Sequence, residues 1–66
     1  MNDSATEKQE VKVELSDLET KIENLSNFIK NGRPKGIKRK QYSLLKKQLK
    51  VMRKYAQILH NRVLVW

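Results

Sequence analysis

The chain has 66 residues, 33% of them charged, and carries a net charge of +8. A chain this short is one domain and leaves much of its apolar surface uncovered when it folds alone. It has no cysteine and a single histidine, His60, which excludes disulfides and thiolate or multi-histidine metal sites and leaves a partner copy as the means of thickening a core.

Residues 1–8 read as a disordered acidic tail, polar where a signal peptide would be apolar. No run approaches the ~20 apolar residues of a membrane span, so the sequence predicts a cytoplasmic protein with no membrane partner. A first helix is predicted over residues 9–31. Its apolar residues Val11, Leu15, Leu18, Ile22, Leu25 and Ile29 recur in alternating steps of four and three, the narrow seam of a helix that packs along another helix. Ser4 and Glu7 have the spacing of a capping box, and Ser16 or Asp17 would cap a shorter helix.

Asn31-Gly32 reads as the helix stop, and Pro34 cannot continue the helix. Residues 32–36 form a basic loop, short enough to lay its flanking helices antiparallel. A second helix is predicted over 37–66, with Gly36 as its N-cap. It bears two apolar stripes. One is Tyr42, Leu45, Leu49, Met52, Ala56, Leu59, Val63 and Trp66; the other is Leu44, Val51, Tyr55, Ile58 and Val65, interrupted by Gln48 and Arg62. The first helix, widened only by Phe28, covers one stripe and not both; spacing leaves open whether the Tyr42 or the Leu44 stripe faces it. Phe28 and Trp66 read as core residues. The expected fold is all-α, an antiparallel helical hairpin oligomerising into a helical bundle, dimer or tetramer, through the uncovered stripe.

The charges are segregated along the chain. All seven acids lie at or before Glu23, whereas the twelve cations from Lys30 to Arg62 have no acid among them. Such asymmetry points to a phosphate-rich ligand, a nucleic acid or an acidic protein. It does not point to catalysis: the acids sit mostly off the apolar seam, His60 has no local Ser, Cys or Asp partner, and no phosphate-loop or zinc-protease motif is present. The sequence predicts a non-enzymatic protein that needs no cofactor and no metal.

The candidate binding residues begin at the loop. Lys38, Arg39 and Lys40 fall where a helix start disfavours cations, and an anion held there would reverse the penalty by accepting bonds from free backbone N–H groups and pairing with the side chains. Arg33 and Lys35 converge on the same end. Tyr42, one turn on, and Tyr55, beside Arg53 and Lys54, offer rings on which a base can stack. Gln48 and Arg62 are polar positions in an apolar stripe, where they fix register or hold a ligand.

Taken together, Glu14-Leu15, Leu18, Lys21-Ile22, Leu25 and Phe28-Ile29, then Leu44-Leu45, Gln48-Leu49, Met52, Tyr55, Ile58-Leu59 and Arg62-Val63 resemble a widespread family of small phage proteins named after a crAss-like phage member. The resemblance covers residues 13–63 and is most specific from Leu44 to Val63, since generic coiled coils rarely fix Gln, Met, Tyr and Arg together. It implies a phage or prophage origin, action in the host bacterial cytoplasm, and an oligomerising hairpin similar to the anti-CBASS sponges, which sequester cyclic-nucleotide alarm signals without cleaving them. Gln48, Tyr55 and Arg62 are the polar positions that match. The loop is more basic than the family pattern, which keeps a nucleic-acid-binding accessory protein as an alternative, beside an inhibitor or adaptor of an acidic host protein.

Overall fold

In the computed structural model, residues 3–66 are described, and Met1 and Asn2 of the expected tail lie outside them. Two helices make up the fold, α1 (Asp3–Lys30) and α2 (Arg39–Leu64), packed against each other as a hairpin. The molecule is a rod, 53 × 15 × 14 Å, with a radius of gyration of 15.4 Å where a compact chain of this length would have about 11 Å. Among the described residues, no helix is long and apolar enough to cross a membrane.

Helix α1 starts at Asp3 and takes in residues 3–8, which the sequence assigns to a tail. Ser4 therefore lies inside the helix rather than at its cap. Val11, already buried, anchors the turns before it. The helix passes Ser16 and Asp17 without a break, and the Thr20 hydroxyl donates to the Ser16 carbonyl at 3.2 Å.

The helix ends as expected, with Gly32 at φ +86° and its N–H donating to the Ile29 carbonyl at 3.0 Å. The second helix starts later than residue 37. Pro34 to Ile37 form a turn, closed by the Ile37 N–H on the Pro34 carbonyl at 3.3 Å. Gly36, at φ +90°, fills the third position of that turn, where a positive φ favours glycine. It is thus a turn residue, and the cap of α2 is Lys38, in extended backbone with no side-chain capping bond.

The Tyr42 stripe faces α1. Val11, Leu18 and Leu59 form the core cluster, with Leu15, Ile22, Met52, Ala56 and Val63 packed against it; Leu49 is buried nearer the turn. Leu59 is 0% exposed. The Leu44 stripe stays open to solvent along its whole length. Phe28 and Trp66, expected in the core, are 36% and 41% exposed. Phe28 sits on the flank of its seam, one residue before Ile29. Trp66 follows the Val65 cap, where the backbone has left the helical twist (φ −99°, ψ 6°), so the helical spacing no longer carries it inward.

One contact ties the two helices at the turn. The Tyr42 hydroxyl donates to the Ile29 carbonyl at 2.7 Å, one of the end carbonyls that a helix leaves without an internal partner. Urea titration followed by circular dichroism should show Leu59→Ala destabilised by about 2–4 kcal/mol and Tyr42→Phe by about 1 kcal/mol, with exposed Lys47→Ala within about 0.5 kcal/mol of the parent.

Candidate functional site

The expected binding residues are spread along the rod. Arg33, Lys38, Arg39 and Tyr42 lie at the turn end of the rod, while Gln48, Tyr55 and Arg62 lie along the exposed side of α2. From Arg39 to Tyr55 the helix rises roughly 24 Å, so one compact ligand does not span Arg39 and Tyr55 or Arg62 on the same chain, whereas Gln48 lies only about 9 Å along the helix from Tyr42.

At the turn end the first turn of α2 contains no acid, and its leading N–H groups have no helical partner. The Arg33 Nη1 donates to the Ile37 carbonyl at 2.9 Å, which folds that guanidinium back towards Lys38. A shallow hollow of ≈ 540 Å³ opens beside them, lined by Gly36, Ile37, Lys38, Lys40, Gln41 and Leu44. Tyr42 stands differently from its neighbours. It is half-buried, its hydroxyl is committed to Ile29, and the Lys46 ammonium lies 4.9 Å from its ring centroid, so it works as a clamp with one face already taken by a cation.

Along α2, Gln48, Tyr55 and Arg62 recur at intervals of seven and are all exposed. The Gln48 Nε2 donates weakly to the Met52 Sδ at 3.8 Å, and its amide oxygen accepts no hydrogen bond among the described residues. The Arg62 guanidinium lies 5.8 Å from the Trp66 ring centroid. The Tyr55 hydroxyl donates to a Glu14 carboxylate oxygen across the hairpin, and beside them Glu10, Val13, Asp17 and Lys21 line a groove of ≈ 350 Å³.

A second groove, of ≈ 400 Å³, runs along the opposite flank of the hairpin and includes Glu19, Glu23, Arg53 and His60. Here the Arg53 Nη2 donates to the Ser26 Oγ at 3.2 Å. Neither Arg53 nor His60 stands out as a binding residue in the sequence. The signal available was their position: Arg53 follows Met52 and Ser26 follows Leu25, so both fall at the edge of a seam. No group of three or more His, Cys, Asp or Glu side chains among the described residues is placed to hold a metal ion.

These features define a small helical-hairpin protein with one face of its second helix unpartnered and its cations gathered on that helix. Over residues 5–64 the chain matches the Sequestin family, and it belongs to that family. No curated protein and no solved structure matches it.

The Tyr55 hydroxyl is held above its ordinary pKa of about 10, chiefly because it donates to Glu14; partial desolvation and the Glu14 charge add to the effect, and the Arg62 charge opposes it. A raised pKa means that the folded chain favours the neutral hydroxyl. The contact therefore stabilises the hairpin fully below pH ~10 and is lost as the pH rises through the shifted value. Tyrosinate absorbance in a Tyr42→Phe background should show Tyr55 titrating late, and Glu14→Gln should bring that titration down towards the ordinary value.

Proposed function

We propose that the chain is a non-catalytic capture protein that binds a cyclic nucleotide and withholds it, a phage's counter to a bacterial alarm signal. The observation that carries this reading is membership of the Sequestin family over residues 5–64, whose name denotes sequestration. The residues supply the chemistry. Tyr55 offers a ring for a base, Gln48 a donor and an acceptor for a base edge, and Arg62 a planar fork for a phosphate. Lys38, Arg39 and Arg33 lie too far along the rod from Tyr55 and Arg62 to share a ligand with them on one chain, and their field draws anions towards the molecule. Self-association through the open stripe of α2 belongs to the same reading.

One observation favours a nucleic-acid surface as a second reading. Arg39, Lys46 and Arg53 recur at intervals of seven, as do Lys40, Lys47 and Lys54 beside them, which gives α2 two adjacent basic rows without an acid.

Calorimetry at about 150 mM salt against cyclic di- and trinucleotides, with a short DNA duplex and an RNA alongside, separates the two. Capture gives saturable binding of one cyclic nucleotide at a fixed ratio, weakened about ten- to a hundredfold in Arg62→Ala. Binding to the polymers alone, falling steeply with added salt through counterion release, would overturn capture in favour of the second reading.

A further inference from the structure

The open side of α2 has an order that a merely solvated face would not need. Leu44, Gln48, Val51, Tyr55, Ile58, Arg62 and Val65 recur in alternating steps of four and three, and all are exposed, Val51 at 64% and Ile58 at 57%. This is a second complete seam, about 32 Å long, beside the one that α1 covers. Its pattern reads nearly the same in both directions from Tyr55: apolar, polar, apolar, Tyr, apolar, polar, apolar.

We infer that this seam pairs with the same seam of a second copy, antiparallel about a two-fold axis at Tyr55, and that the pair brings Gln48 of one copy to Arg62 of the other. The inference rests on the self-association in the functional reading and gives it a register. In a two-fold interface a residue and its opposite number exchange places between copies. With Tyr55 at the axis, Gln48 falls opposite Arg62, and Val51 and Leu44 fall within one residue of Ile58 and Val65, so apolar positions oppose apolar ones and polar positions oppose polar ones. The Gln48 amide oxygen, without a hydrogen bond among the described residues of the single chain, accepts from the facing guanidinium. A parallel pair would instead set Arg62 against Arg62, which costs repulsion along with desolvation. The Tyr55 hydroxyl, tied to Glu14, holds each ring at the axis.

The pairing also completes the candidate site. Gln48 and Arg62 are fourteen positions apart on one helix, or about 21 Å, too far to grip one cyclic nucleotide. Across the pair they lie side by side, one from each copy, with a Tyr55 ring about two helical turns away. The captured ligand then sits between copies, and the sites come in pairs.

The chain has no cysteine, so single Gln48→Cys, Tyr55→Cys and Arg62→Cys variants report contacts cleanly. A short bismaleimide should link Tyr55→Cys to itself. It should link Gln48→Cys to Arg62→Cys in a mixture, and should link neither of those two to itself. Sedimentation should give twice the mass of the chain, and Ile58→Glu should halve it while circular dichroism keeps the helix signal. Self-linking of Gln48→Cys and of Arg62→Cys would overturn the antiparallel register while leaving self-association intact. A single-chain mass with no links at micromolar concentration would overturn self-association itself, whatever the calorimetry shows of ligand binding.

Discussion

The structure depends on a shortage: α1 has one apolar seam and α2 has two. Among the described residues Leu59, closed in by Val11 and Leu18, alone has its side chain wholly removed from water, and the helices are held together by that narrow line of contact. Burial of this kind stabilises by roughly 25 cal/mol for each Å² of apolar surface withdrawn, and a two-helix rod withdraws little of it. Most of the large apolar side chains left exposed form a row on the outside of α2. Gln48 and Arg62, two of the proposed binding residues, interrupt that uncovered row.

The hairpin was legible because its determinants are local. Alternating steps of four and three name the buried face of α1, and Asn31-Gly32 with Pro34 marks the stop. The two stripes of α2 were equally visible. Which of them α1 covers was not, because periodicity is blind to the partner; Tyr42 decides it, reaching a carbonyl at the end of α1 from the covered stripe. The helix starts were misplaced for a related reason. Residues 3–8 look like a tail when judged by polarity, yet they continue a helix anchored at Val11. Gly36 looks like a cap, yet the turn from Pro34 needs its positive φ first.

The candidate site was legible as residue types and not as an arrangement. Gln48, Tyr55 and Arg62 could be picked out because they break an apolar stripe or carry a polar tip. That Tyr55 would spend its hydroxyl on Glu14, or that Arg53 would meet Ser26, depends on the relative register of two helices, which no single helix encodes. The separation between the turn cations and the stripe residues follows from straightness: a helix that runs from Arg39 to Leu64 without a break spreads its side chains along a line, where a folded pocket would gather them.

The Ile29 carbonyl accepts from both the Gly32 N–H and the Tyr42 hydroxyl. Ile29 and Tyr42 are thirteen residues apart, so the loop they close is short and its entropic cost small. Val11 and Leu59, at the far end of the rod, join segments much more distant in sequence. A chain fastened first at its bend has the alignment of both helices decided before those distant residues meet. Closure at the bend first would let the two helices zip together from that end, a route rich in local contacts.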